Sequence, residues 1–163
     1  MFEPSTLSLV LLLVAVNGAP LLLRMLWKEA PLGTPLDGGR VLADGRPLWG
    51  ASKTVRGALA MVAVGGILAP LLGISFRIGL LVGLQAMFGD LFSSFLKRRL
   101  GVPPGGMALG LDQVPEALFP LLACKFLLGL DWAQIGWIIL LFTLADLLLS
   151  RLAWLLGYRD HPH

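Results

Sequence analysis

The residue types best suited to chemistry lie in segment 89–99, GDLFSSFLKRR, at the end of a long apolar stretch. At about 100° per residue, small and polar residues fall within about 40° of one helical line: Gly79, Gly83, Ala86, Asp90, Ser93, Ser94 and Lys97. A carboxylate such as Asp90 inside an apolar stretch predicts a functional site. The alternatives are an ion pair with Lys97 or a helix cap. Arg99 points further round the helix, where its charge would serve topology only.

A second carboxylate, Asp112, precedes the next apolar stretch in segment 110–116, GLDQVPE. It could simply cap the helix that begins there, since Pro115 suits a first helical turn. Two adjacent antiparallel helices would, however, bring Asp112 and Asp90 to the same surface beside basic residues. Because Mg²⁺ favours one or two carboxylates plus phosphate oxygens, this pair predicts a magnesium–nucleotide site.

Basic residues open another apolar stretch in segment 49–57, WGASKTVRG. Lys53, Arg56 and Gly57 share one side of the first helical turn, where free backbone N–H groups favour anions. The glycine spacing does not match a Walker A loop. The alternative is a charge bias that sets membrane orientation, with Thr54 as a helix cap.

Weaker signals lie inside the other apolar stretches. The motif Asn-Gly-Ala-Pro at 17–20 predicts a helix kink that is either structural or shapes a cavity. Asp146 falls at about the depth of Glu116, and hydrogen bonding between helices is its favoured role. The roles of Asp37 and Glu116 stay open.

Composition defines the elements that must position these residues. The 163 residues are 56% hydrophobic and 14% charged, with charges clustered between long uncharged stretches. Buried backbone in a bilayer must form helices or closed barrels, and stretches of ~20 apolar residues favour helices. The predicted fold class is therefore an all-α integral membrane protein, one domain over 1–163 with five transmembrane helices. The predicted spans are 7–26, 55–72, 74–96, 114–130 and 132–156, with two long loops at 27–54 and 97–113.

Lys and Arg counting predicts the orientation, because cytoplasmic loops carry an excess of these residues. Basic residues near the two long loops and the tail are Arg24, Lys28, Arg40, Arg46, Lys53, Arg56, Lys97, Arg98, Arg99, Arg151 and Arg159. The opposite loops carry Arg77, with Glu3 and Asp131 on the same side. The N-terminus is thus predicted outside, the C-terminus and both long loops in the cytoplasm, and the protein in the cell's inner membrane. Lys125, near the outer end of the fourth span, is expected to snorkel outward.

Several function classes are disfavoured. Cys124 is the single cysteine and the histidines are His161 and His163, so zinc or histidine chemistry is not expected. The basic residues follow membrane orientation rather than a nucleic-acid surface. No internal repeat supports an inverted-repeat transporter. A non-catalytic phospholipid-binding scaffold or a small transporter remain the alternatives to an enzyme.

Taken together, these segments resemble the CDP-archaeol synthase family, relatives of the CDP-diacylglycerol synthases. The resemblance covers nearly the whole chain in order, including the layout of five spans. It rests on 17–20, Asp37-Gly38-Gly39, Gly50-x-x-Lys53-Thr54-x-Arg56-Gly57, 89–94 with Lys97-Arg98-Arg99-x-Gly101, and Leu111-Asp112-Gln113. One departure is Val55, where the family often has an aromatic residue.

The resemblance implies a magnesium-dependent cytidylyltransferase. Such an enzyme transfers CMP from CTP to a glycerol-phosphate lipid, of isoprenoid or acyl type, and releases diphosphate. Asp90 and Asp112 would hold the metal, and Asp90, Lys97 and Asp112 would be catalytic. The nucleotide phosphates would bind Lys53, Thr54, Arg56, Ser94, Lys97 and Arg98. A homodimer is possible, and no nucleic-acid partner is expected.

Overall fold

The computed structural model describes residues 5–27, 31–103, 106 and 108–155. Five helices follow one another: α1 (Thr6–Leu26), α2 (Val55–Leu71), α3 (Phe76–Arg99), α4 (Gln113–Cys124) and α5 (Trp132–Leu155). The predicted all-helical class is confirmed for this part of the chain. Predictions that involve Glu3, Lys28, Arg159, His161, His163 and the end of the fifth span at 156 lie outside the described residues.

Hydroxyl side chains start three of the helices. Ser5, Thr54 and Ser75 accept hydrogen bonds from the backbone N–H groups of Ser8, Gly57 and Ile78, respectively. These bonds satisfy N–H groups that have no partner within the helix. Among the described helices α1, α3 and α5 are long and apolar enough to cross a membrane, and α2 is a shorter apolar helix.

The third and fourth spans differ from the prediction. α3 begins at Phe76 and continues to Arg99, so the predicted loop at 97–113 starts too early. The fourth span, predicted as 114–130, is helical only to Cys124 and continues as turns over 125–129. Lys125 N–H donates to the carbonyl three residues back, at Leu122, which tightens the chain out of α-helical geometry. Gly129, with φ of +64°, then ends the segment.

Glycines bring α2 and α3 into close contact, as the small half of the α3 face predicted. A Cβ atom built on Gly83 would lie 2.7 Å from Val62 Cα, and one on Gly65 would lie 3.2 Å from Gly83 Cα. Side chains larger than hydrogen therefore cannot fit between the backbones here. Such close approach maximises dispersion contacts where lipid removes the hydrophobic driving force.

The contact between α3 and α4 is equally close. A Cβ on Gly89 would lie 2.9 Å from Glu116 Cα, so this glycine allows the two helices to place acidic residues side by side. We call the end of the bundle where α1 and α3 end and α2 and α4 begin the polar end. Buried apolar side chains such as Leu12, Val16 and Phe142 fill the rest of the bundle.

Candidate active site

A cavity of about 750 Å³ opens at the polar end. Every helix and the first loop contribute a charged group to its wall: Arg24 from α1, Arg56 from α2, Lys53 from the loop, Asp90, Lys97 and Arg98 from α3, Glu116 from α4 and Asp146 from α5. Asp112, just before α4, also lines it. The cavity is large enough for a nucleotide, since small-molecule sites typically occupy about 300–1,000 Å³.

Two ion pairs connect different segments across this cavity. Lys53 Nζ lies 2.5 Å from Asp90 Oδ1, and Lys97 Nζ lies 2.6 Å from Asp112 Oδ1. The four side chains are only 12–21% exposed. The alternative reading of an Asp90–Lys97 pair is wrong, because each lysine instead reaches a carboxylate on another segment. The first loop, α3 and the start of α4 are thereby joined around one space.

Glu116 is a third carboxylate at this site, and the sequence reasoning left its role open. Its carboxyl group lies close enough to interact with both Asp90 and Lys53. The sequence signal that could have found it is its position four residues, about one helical turn, after Asp112, which puts the two side chains on the same side of the chain. Burial alone would lower the pKa of Lys53, but the negative charges of Asp90, Glu116 and Asp112 raise it above the usual 10.5. Lys53 is therefore a firmly protonated cation.

The capping alternative for Asp112 is wrong, because its side chain does not cap α4. It occupies the N-cap position, yet its side chain makes no capping hydrogen bond. Instead Oδ2 accepts from the Ala108 N–H at 3.0 Å while Oδ1 pairs with Lys97. The next residue, Gln113, is buried and donates through Nε2 to Asp146 Oδ2 at 2.9 Å. This bond confirms the predicted role of Asp146 in bridging helices.

The start of α2 shows both the predicted helix cap and the predicted placement of basic residues for an anion site. Thr54 Oγ1 accepts from the Gly57 N–H at 3.2 Å, so Thr54 is a helix cap, and it also lines the cavity. Arg56 lines the cavity and donates to the Trp27 carbonyl at 3.4 Å. The structure thus places Lys53, Thr54 and Arg56 together at the cavity.

The end of α3 contributes Ser94 and Arg98, which both line the cavity and are 2% and 4% exposed. Arg98 donates through Nη2 to the Pro103 carbonyl at 3.0 Å. Its Nε has no hydrogen-bond acceptor within the described part of the chain. A buried guanidinium with a free donor beside a cavity is well suited to bind an anion.

Three further residues have clear positions. Lys125 lies 5.0 Å from the Trp132 ring centroid and 5.1 Å from that of Phe126, away from the cavity. Asn17 lines the cavity and donates to the Leu13 carbonyl at 2.9 Å. Pro20 lies inside α1 and has no N–H to donate to the carbonyl four residues back, at Val16.

Comparison with known proteins gives the family. The model of the CarS-like CDP-archaeol synthase family matches residues 30–163. The chain belongs to the CDP-archaeol synthase family. A CDP-archaeol synthase of Thermococcus onnurineus is 33% identical over 141 residues, which cover 80% of this chain and 83% of that protein. One of Pyrococcus furiosus is 44% identical over 91 residues, covering 50% of this chain and 54% of that protein.

A solved structure supports the same family. It is of an intramembrane enzyme for archaeal membrane lipid biosynthesis and is 32% identical to this chain. The TM-score is 0.72, with 91% of this chain and 92% of the other covered. The resemblance predicted from sequence is thus confirmed, and with it the class of protein: a multi-pass membrane enzyme of the cytidylyltransferase type.

Proposed function

We propose that this member of the CDP-archaeol synthase family transfers CMP from CTP to a glycerol-phosphate lipid in the cavity at the polar end. One observation carries the proposal: the pairs Lys53–Asp90 and Lys97–Asp112 meet in a single cavity at the end of a membrane bundle. The arrangement offers cations for phosphates and carboxylates for a metal in the same space. A phospholipid-binding scaffold would have no use for the carboxylates.

The reaction requires no covalent intermediate on the protein. An oxygen of the lipid phosphate attacks the α-phosphorus of CTP, and the bond from that phosphorus to the bridging oxygen of the β-phosphate breaks. Diphosphate leaves with the electron pair, and a new phosphoanhydride joins CMP to the lipid. Positioning and charge stabilisation then supply most of the catalysis.

The cations of the cavity suit the triphosphate. Lys53 and Arg56 come from one side of the cavity, and Lys97 and Arg98 come from the end of α3. A triphosphate between them would be held from both sides, with its leaving oxygens near protonated donors. Ser94, buried beside these cations, adds a hydroxyl donor for a phosphate oxygen.

The acidic groups fit a Mg²⁺ ion that is shared with the substrate. The described residues contain no cluster of three or more Asp, Glu, His or Cys side chains arranged to hold a metal by themselves. Mg²⁺ commonly uses one or two carboxylates and completes its shell with phosphates and water. Asp90 and Asp112 would hold it, with Glu116 beside Asp90. The ion would neutralise charge on the departing diphosphate.

The cavity also suits a lipid phosphate. Apolar side chains of Leu21, Met61 and Met87 line it beside the charged groups. A headgroup could therefore reach the charges while its chains stay in hydrocarbon. The relatives are CDP-archaeol synthases, which supports an isoprenoid glycerol phosphate as the lipid substrate.

The membrane arrangement follows from the charges. We propose five crossings, with the N-terminus outside and the polar end in the cytoplasm of the cell membrane. Basic side chains such as Arg24, Lys53 and Lys97 gather at that end, as cytoplasmic segments do. α4 is too short to cross alone and would do so with the turns that follow it. A cytoplasmic cavity also meets CTP where it is made.

Incorporation of CTP labelled in the α-phosphate tests the reaction. The purified protein would be given Mg²⁺ and a panel of lipids: isoprenoid glycerol phosphate, phosphatidate, and the matching unphosphorylated glycerol lipids. Label should enter only the phosphorylated lipids, with one diphosphate released per labelled product. The isoprenoid phosphate should give the higher kcat/KM. Lipid binding without label transfer would favour a scaffold and contradict the proposal.

A further inference from the structure

A group of side chains outside the cavity joins the first loop to the end of α3. Arg99 Nη1 donates to both carboxylate oxygens of Asp44 at 2.6 Å, and its Nη2 donates to the carbonyls of Arg46 and Pro47 at 3.2 and 2.5 Å. In return, Arg46 Nη1 donates to the carbonyls of Arg98, at 3.2 Å, and Arg99. We call Asp44, Arg46 and Arg99 the latch. None of the three lines the cavity.

The latch binds carbonyl groups at a helix end, one of which, that of Arg98, also accepts from the Gly101 N–H at 3.2 Å. The last four carbonyls of a helix have no partner within it, and the helix dipole makes that end negative. The Arg46 guanidinium meets both needs, because it binds two of these carbonyls at the end of α3. Arg99 is further held by the ring of Phe95, 5.4 Å away. These multiple fixed contacts make the latch more specific than a single surface ion pair.

The loop side of the latch is a small hairpin over 41–47. Val41 and Pro47 form an isolated antiparallel bridge, and the Leu42 N–H donates to the Arg46 carbonyl at 2.9 Å. Its turn contains Gly45 with φ of +74°, a conformation that glycine adopts without strain. Asp44 and Arg46 therefore face the end of α3 as one unit.

Hydrogen bonds connect this hairpin to the segment that carries Lys53. Asp37 Oδ2 accepts from the N–H groups of Trp49 and Gly50 at 2.9 and 3.0 Å. Burial would raise the pKa of Asp37, but these backbone donors hold it below its usual value, so the carboxylate stays charged. The Leu36 N–H then donates to the Lys53 carbonyl at 2.7 Å. The loop thus contacts α3 at Arg99 and again at Asp90.

The two attachment points are nine residues apart on α3, about 13.5 Å along the helix axis. Only the attachment through Lys53 and Asp90 lies in the cavity. We propose that the latch is a positioning device for the cytidylyltransfer site: it fixes the loop on α3 so that the Lys53 ammonium stays at the cavity. This inference rests on the proposed function, because it assigns Lys53 a role in turnover.

A double-mutant cycle on kcat/KM for CTP tests the inference. Arg99→Ala should lower kcat/KM by roughly 10-fold, since misplacing one contact group by about 1 Å can cost up to about 100-fold. Arg40→Ala is the matched control, because Arg40 is an exposed arginine on the same loop. It should leave kcat/KM unchanged. In a Lys53→Ala background the further loss from Arg99→Ala should shrink below about 2-fold, because no ammonium remains to be positioned.

Hydrogen exchange provides a readout independent of activity. Arg99→Ala should speed amide exchange over 36–53, while Arg40→Ala should not. Asp44→Ala, a change on the exposed hairpin, should reproduce the Arg99→Ala effects in part and serves if Arg99→Ala folds poorly. Arg99→Lys should restore little, because an ammonium cannot reproduce the guanidinium contacts.

The outcomes separate this inference from the proposed function. Equal losses from Arg99→Ala with and without Lys53 would show an effect independent of Lys53 and overturn the inference. So would unchanged exchange over 36–53 in both latch variants. If Lys53→Ala alone kept normal kcat/KM, the assignment of Lys53 in the proposed site would fail, and the latch would have nothing to position.

Discussion

Replacing Lys97 by methionine, alone and together with Asp112→Asn, distinguishes the contribution of the Lys97–Asp112 pair to stability from its contribution to catalysis. The two side chains are 12% and 16% exposed and 2.6 Å apart. Lys97 also donates to the Gly106 carbonyl at 3.2 Å. Removing one partner of a buried pair costs about 3–5 kcal/mol, because the other charge stays buried without compensation. With some solvent access here, we expect about 2–3 kcal/mol from Lys97→Met.

A loss of this size should appear in thermal unfolding of the detergent-purified protein. At roughly 2–4 °C per kcal/mol for a chain of this length, Tm should fall by about 4–12 °C. The double variant Lys97→Met with Asp112→Asn removes both charges and should recover most of that loss. Its kcat/KM for CTP should nevertheless stay low, because phosphate and metal contacts are both missing. Recovery of activity together with Tm in the double variant would refute the site role of this pair.

Other predictions concern packing, membrane orientation and pH. Gly83→Leu should greatly reduce folded yield, because its Cβ would lie 2.7 Å from another helix's backbone, while Gly136→Ala, in open space, should be neutral. Single cysteines at Ala43 and Gly73 should react with an impermeant maleimide from the cytoplasmic and outer sides, respectively; the reverse pattern would contradict the orientation. The pKa of Lys53 in the folded protein is raised above 10.5. The contribution of Lys53 to the stability of the fold is therefore fully present below pH 10.5 and is lost as the pH rises further. The Tm difference between wild type and Lys53→Met should shrink only above about pH 10.5, and a decline near neutrality would argue against this ion pair.

The sequence predicted the helices well where length and apolar composition decide. α1, α2 and α5 lie within a residue of the predicted spans over the described residues. The prediction of a helix over the whole of 114–130 was wrong because an apolar run has the same composition in a helix and in a turn. The tightened bond at Lys125 and the turn at Gly129 depend on packing that composition does not encode.

The sequence predicted which face of α3 carries the candidate site, but not which charged side chains form ion pairs there. Helical periodicity placed Asp90 and Lys97 on one side of α3, and both line the cavity. It could not show that Lys53 would take Asp90 and leave Lys97 to Asp112, because these pairs depend on how separate segments pack. Arg99 was expected to serve topology alone, yet it binds the first loop. Such loop contacts leave no periodic signal in the sequence.

Turnover of labelled CTP by Asp90→Asn tests the central claim most directly. Asp131→Asn is the matched control, because it makes the same chemical change before α5, outside the set of residues that line the cavity. With Mg²⁺ and lipid phosphate, and compared at equal amounts of folded protein, Asp90→Asn should lower CMP transfer at least about 100-fold, equivalent to about 2.7 kcal/mol. Asp131→Asn should retain wild-type transfer. A well-folded Asp90→Asn protein with near-normal transfer would contradict the placement of the reaction in this cavity.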